Sequence, residues 1–160
     1  MQFINERFGE VCVKNLSDIP KHLPLFARWA ENEWGYVRNK GVDFRTRLFE
    51  KYLVSKSIPS LYGLFINDVP VGMFAIEYCD TNNECLFLNY LFLKSEYRQF
   101  GMGKNAVELA KMICRSHRAK CMQLTTLDSS INRYYEKLGG YIIGAESFYT
   151  YPATRLEIKL

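Results

Sequence analysis

Apolar and polar residues change period several times along this chain, and each change marks an element. Val11 to Lys14 alternates as a short strand, and Ser17-Asp18 offers a helix cap. Leu23, Phe26, Ala27, Ala30 and Trp34 then recur at the spacing of one helical face. Pro20 and Pro24 predict an irregular first turn. Gly35 and Gly41 bracket a predicted break, and a second helix is expected over Arg45–Ser55. Leu61–Ile66 and Val71–Tyr78 read as strands joined by the turn Asn67-Asp68-Val69-Pro70. After Asp80-Thr81-Asn82-Asn83, Cys85–Leu93 is almost wholly apolar, the pattern of a central strand covered on both faces. Lys104–His117 returns to helical period through Ala106, Val107, Ala110, Ile113 and Cys114. Cys121–Leu127 is a strand, Ser129–Leu138 a helix ended by Gly139-Gly140, and Tyr141–Ile143 and Thr154–Ile158 the last strands. The order is β-α-α-β-β-β-α-β-α-β-β: an α/β fold with a mixed sheet, helices on its faces and a parallel crossover from Cys85 to Leu127.

Length and composition narrow the field. The 160 residues fit a single domain spanning 1–160, and 48% apolar with 24% charged residues is ordinary for a globular chain. No apolar run approaches the ~20 residues that span a bilayer. The N-terminus carries no secretory h-region, so a cytoplasmic protein is expected. The odd set Cys12, Cys79, Cys85, Cys114 and Cys121 contains no CxxC and reads as reduced thiols; Cys79 and Cys85 could face each other across a hairpin, without evidence of a bridge. His22 and His117 lack ligand spacing, so no metal is expected. The net charge of +4 is too mild to imply nucleic acid, but it is uneven. Lys94, Arg98, Lys104, Lys111, Arg115, Arg118 and Lys120 face only Glu96 and Glu108 in that span, a field suited to a phosphate-rich ligand.

The segment Arg98-Gln99-Phe100-Gly101-Met102-Gly103-Lys104 joins the buried strand to the helix. N–H groups at a helix start point outward with positive partial charge, and glycine lets several converge on one anion. A Walker loop fails here: Arg98 stands where its first glycine belongs, and Asn105 follows Gly103-Lys104. Gly101 to Ala106 formally matches a dinucleotide fingerprint with Asp128 downstream, but the preceding antiparallel hairpins leave no room for a Rossmann sheet. The pattern [QR]xxGx[GA] fits Arg98–Gly103.

With that turn, the approach Leu91 to Arg98 and the later Tyr135-Glu136-Lys137-Leu138-Gly139, the chain resembles the GNAT (N-acetyltransferase) superfamily over nearly its whole length. The resemblance implies an acyl-CoA, most simply acetyl-CoA, in a V between the splayed strands Cys85–Leu93 and Cys121–Leu127. It implies pantetheine contacts at Phe92 and Leu93, and pyrophosphate contacts at Arg98, Gln99, Phe100, Gly101, Met102, Gly103 and Lys104. Asp128 stands where the family often has a cofactor-binding Asn. Tyr135 matches the tyrosine near the departing sulfur, a general acid. Its neighbour Tyr134, about 100° round the helix, is expected to face elsewhere. The base is weakly specified: Glu84 at the start of the strand, Glu77 on the preceding one, or a water at Asn89. Glu33 and Trp34 on the first helix are expected at the acceptor site, where an acid and a ring suit a cationic amine. The implied activity is acetyl transfer to a primary amine of a small molecule or protein, by a monomer or homodimer. The alternatives are a non-catalytic CoA-binding module and, last, a dinucleotide- or nucleic-acid-binding protein. The reading requires that the two parallel strands part, and that the amides of the turn face outward.

Overall fold

The computed structural model describes residues 1–54 and 56–160. An N-terminal hairpin pairs β1 (Gln2–Asn5) with β2 (Gly9–Asn15); the first of these strands was not foreseen. Its four residues are too few to display a period, and only pairing defines them. Next comes α1 (Leu23–Arg38), with Leu23, Phe26, Ala27 and Ala30 buried as their spacing requires. This helix runs through Gly35, where a break was expected. A Cβ there would meet Glu31 Oε1 at 2.6 Å, so the missing side chain leaves room for Glu31 to lean over and reach Arg45 Nε at 3.2 Å. The helix ends at Asn39, left-handed with φ 52°, whose N–H donates to the Gly35 carbonyl. Gly41 then opens α2 (Val42–Phe49), earlier than the expected Arg45 start, and a 3-10 turn over Glu50–Leu53 continues it. The expected end at Ser55 lies outside the described residues.

The meander β3 (Ser60–Ile66), β4 (Val69–Tyr78) and β5 (Cys85–Leu93) follows as read. Then come α3 (Met102–Ser116), β6 (Cys121–Thr126), a 3-10 turn at Ser129–Ile131, α4 (Asn132–Lys137), β7 (Gly140–Phe148) and β8 (Tyr151–Lys159). One mixed sheet holds all eight strands in the order β1-β2-β3-β4-β5-β6-β8-β7. Residues of alternate parity along the strands feed two cores. Tyr62, Phe74 and Leu86 pack under α3 and α4, while Leu61, Phe65 and Met73 pack under α1 and α2. Burying each such side chain is worth about 1.5–3 kcal/mol. No described helix is long and apolar enough to cross a membrane.

Two features at the middle of the sheet shape everything that follows. First, β5 carries one residue more than β4 between the pairs Ala75↔Asn89 and Met73↔Phe92, and Tyr90 within this bulge has φ 53°. The bulge bends β5 away from its other neighbour. Second, β5 and β6 pair only at Cys85↔Cys121, Leu86↔Met122 and Phe87↔Gln123. Beyond these, β6 stays paired to β8 as far as Thr126↔Thr154, so β5 and β6 part like the arms of a V.

At the base of the V the reading of five reduced cysteines is corrected: Cys85 and Cys121 form a disulfide. The parallel register sets their Cα atoms 4.5 Å apart, within bridging range. The intervening α3 hid this proximity from the sequence. Cys79 instead points its thiol at Gln123 Oε1, 3.3 Å away.

Candidate active site

A cleft of about 610 Å³ opens where the two strands part. Leu88 to Leu91 form one wall and Leu124 to Asp128 the other; α1 contributes Glu33 and Trp34, and α4 contributes Tyr135. At the head of β5, after a 3-10 turn at Ser95–Tyr97, the chain curls through Gln99 (φ 68°) and Gly101 (φ 80°) into α3. Among the described residues, none accepts a hydrogen bond from the N–H groups of residues 99–104; the first helical bond runs from Asn105 N–H to Gly101 O. Unpaired amides at the start of a fifteen-residue helix make a ready anion cradle.

The cradle is held from behind by Asn5, a residue the sequence did not single out. Its buried amide donates to Phe100 O and Asn105 Oδ1, both at 2.9 Å, while its oxygen accepts from the N–H groups of Arg7 and Phe8. The turn-forming character of Asn5 is readable. Its partners a hundred positions away are not. Arg7 lies over the Phe100 ring at 4.7 Å and Phe8 meets it edge-on, which closes the back of the turn.

The expected site residues fall into three groups. Tyr135, Asp128, Glu33, Trp34 and Arg98 all line the cleft. Gln99 to Lys104 form the amide turn beside it. Phe92 and Leu93 do not line it: the Phe92 ring packs on Trp29 at 5.2 Å, and Leu93 O accepts from Arg98 Nε at 2.7 Å. The exposed strand edge begins earlier, at Leu88 to Leu91. Arg98 thus turns toward the sheet and toward Glu33, with Nη2 3.5 Å from Oε2, and not across the amides.

Glu84 is set apart from this geometry. It sits at the closed end of the V, exposed, and is paired with Lys120 at 2.8 Å. A carboxylate there is too remote to act as base, because it lies in the turn before β5, and that strand runs from the base of the V to the mouth. Glu77 is better situated. It is half-buried beside the wall and accepts from Tyr52 OH, from Lys51 Nζ at 2.8 Å and from Asn89 Nδ2 at 3.0 Å. Burial pushes its carboxyl up, but the bonds from Lys51, Tyr52 and Asn89 together outweigh that and hold it below the ordinary value. Glu77 therefore orients Asn89 and stays ionised.

Tyr135 is almost fully buried, and burial, reinforced by Tyr134, raises its phenol above the ordinary value. Tyr134 was expected to face elsewhere; its hydroxyl lies 2.7 Å from where a Cβ on Gly103 would stand. Asp128 caps the turn after β6, accepting from Ser130 N–H at 2.9 Å, and that bond lowers its carboxyl. Asn132 ties α4 to β6 and β8 through Thr126 and Thr154. Behind Trp34, the Glu31–Arg45 pair reaches Tyr90 OH at 3.3 Å and steadies the bulge.

The site is thus a mixed sheet unzipped between two parallel strands, with unpaired amides at the start of the helix that follows. The chain belongs to the GNAT acetyltransferase family: the model of the Acetyltransferase (GNAT) family matches residues 23–140. No curated protein sequence is significantly similar to it. Among solved structures, an acetyltransferase from Thermus thermophilus is similar at 14% identity and TM-score 0.75, over 94% of this chain and 97% of that one. An aminoglycoside 6'-acetyltransferase type Ii is similar at 16% and 0.73, over 92% and 96%. A protein from Bacillus anthracis str. Ames, named for streptothricin acetylation and solved in complex with acetyl coenzyme A, is similar at 17% and 0.60, over 70% and 68%. At these identities the likeness is one of fold.

Proposed function

We propose that this acetyltransferase moves the acetyl group of acetyl-CoA to a primary amine by direct attack, with Tyr135 as general acid. The observation that carries the reading is the pairing of a V-shaped opening with unpaired amides at its mouth. The residues fit the co-substrate. Amides 99–104 suit its diphosphate, with Lys104 adding charge, and Asp128 stands on the opposite wall. The free edge at Leu88–Leu91 can bond the amide-rich pantetheine arm as an added strand would.

The acetyl group then lies between the arms, beside Tyr135. The amine nitrogen bonds to the acetyl carbon and the carbon–sulfur bond breaks. The Tyr135 hydroxyl gives its proton to the departing sulfur and is reprotonated from solvent. The proton lost by the amine leaves through water held at Asn89, whose side chain Glu77 fixes at 3.0 Å. Glu33 and Trp34 stand where the acceptor enters.

The test is thiol release from acetyl-CoA with a panel of primary amines, read beside calorimetric binding of acetyl-CoA. We expect binding, and an amine-dependent rate above spontaneous hydrolysis. Binding with no amine raising the rate would reduce the protein to a CoA-binding module, and failure to bind acetyl-CoA would overturn the reading altogether.

A further inference from the structure

The last turn of α1 places on the cleft wall a cation that acetyl transfer does not use. Arg38 lies on the cleft wall, its guanidinium carbon 4.5 Å from the centre of the Phe44 ring and 5.2 Å from that of Tyr149. Rings stabilise a guanidinium through their π-electrons but satisfy none of its in-plane N–H groups. Arg38 Nε is buried and has no hydrogen-bond partner. The other arginines of this wall are engaged: Arg45 with Glu31 at 3.2 Å, Arg98 with Glu33 at 3.5 Å. Arg38 forms no ion pair among the described residues. Lys40 Nζ, 5.7 Å from the Phe44 ring, adds a second positive charge nearby.

The acids of the cleft do not balance this field. Glu33 is held by Arg98, and Asp128 is turned to the N–H of Ser130. A buried donor on a permanent cation, left unpaired, is costly, and such groups in folded proteins are nearly always matched. The planar fork of a guanidinium matches the two oxygens of a carboxylate or phosphate. The ring contacts hold that fork in place, so little further ordering is needed on binding.

We infer that the acceptor amine carries an anionic group, a carboxylate or a phosphate monoester, and that Arg38 binds it. Arg38 is then a specificity-determining residue, and the acceptor class is an anionic amine instead of the cationic one that Glu33 and Trp34 suggested. The inference deepens the acetyltransferase reading and rests on it only for the reaction that follows binding.

The test uses ω-amino carboxylates from glycine to 6-aminohexanoate, each beside its carboxamide, with O-phosphoethanolamine and spermidine. Each is titrated calorimetrically into CoA-loaded protein and assayed for thiol release. The best-fitting anionic amine should bind about tenfold or more tighter than its uncharged partner, as expected for hydrogen bonds to a charged group. Arg38→Gln should erase that preference without weakening CoA binding, and Arg38→Lys should restore part of it. The ranking of carboxylates against O-phosphoethanolamine names the anion. Equal binding of acid and amide, tighter binding of spermidine than of every anion, or loss of CoA affinity in Arg38→Gln would each overturn the inference. If Arg38→Gln does not fold, the acid–amide difference in the parent still decides. Anion preference without turnover sinks the acetyltransferase and leaves the anion site standing, whereas turnover without preference does the reverse.

Discussion

A phenol in a dry wall keeps its proton until a strong base forms beside it. Burial raises the Tyr135 phenol, so it is protonated throughout the neutral range, and the same dryness makes a departing thiolate more basic than in water. If Tyr135 is the acid, Tyr135→Phe should lower kcat by about 10²–10⁴-fold, the usual contribution of general acid catalysis, with acetyl-CoA affinity unchanged. In the parent, kcat should not fall on the alkaline side below about pH 10, since a raised phenol stays protonated at least that far. Equal kcat in the two proteins would take the role away. Asn5 makes a different kind of case. It touches no ligand yet donates two bonds that hold the turn. Asn5→Ala leaves Phe100 O and Asn105 Oδ1 without their donor and should weaken acetyl-CoA binding by about tenfold, the worth of one to two net hydrogen bonds. Calorimetry showing unchanged affinity would mean the turn holds its shape without β1.

The strand–turn–helix from β5 to α3 does its work through backbone groups, so its chemistry is set by conformation more than by side chains. Gly101 has φ 80°, and a Cβ there would find open room, with Asn5 Nδ2 the nearest atom at 3.9 Å. The cost of Gly101→Ala is therefore conformational, about 1–2 kcal/mol. It should appear as weaker acetyl-CoA binding together with a slightly lower Tm, and no change in either would show that the amides do not depend on that curl. This element was legible in the sequence because its signals are local: an apolar run, two glycines two residues apart, then a helical period. The same holds for the meander and for Tyr135 on its helix. What stayed hidden depends on contacts between distant segments. Strand β1 exists only by pairing, the bulge at Tyr90 only by comparison with β4, and the Cys85–Cys121 bridge only by parallel register. Gly35 misled because a helix-breaking residue was read without the Glu31 side chain that needs its space. Glu84 was placed only by its nearness to the start of β5, which could not say at which end of the V that strand begins.

At the scale of the molecule, the core under α1 and α2 meets the cleft wall through one half-buried polar cluster, Tyr52–Glu77–Asn89 with Lys51 over it. It links α2's continuation, β4 and β5 immediately below the bulge, so its charge state bears on both stability and the shape of the V. The Glu77 carboxyl is held below its ordinary value in the folded chain. A depressed carboxyl contributes stability that is fully present above the unfolded value, about 4.3, and is lost as pH falls through the folded value. Glu77→Gln keeps the shape but exchanges a charged acceptor for a neutral one, at a cost of about 1–3 kcal/mol at pH 7. The difference in Tm between the parent and Glu77→Gln should therefore be largest at neutral pH and shrink on acidification below about pH 4, as the parent takes up the proton. The same comparison reads the cleft. Glu77 fixes Asn89, which lines the wall, so acetyl transfer in Glu77→Gln should fall at pH 7 more than acetyl-CoA affinity does. A Tm difference that is constant from pH 7 to pH 3 would mean that Glu77 is not ionised in the fold, and the cluster would then be a neutral hydrogen-bond network with no electrostatic hold on the strand that opens the V.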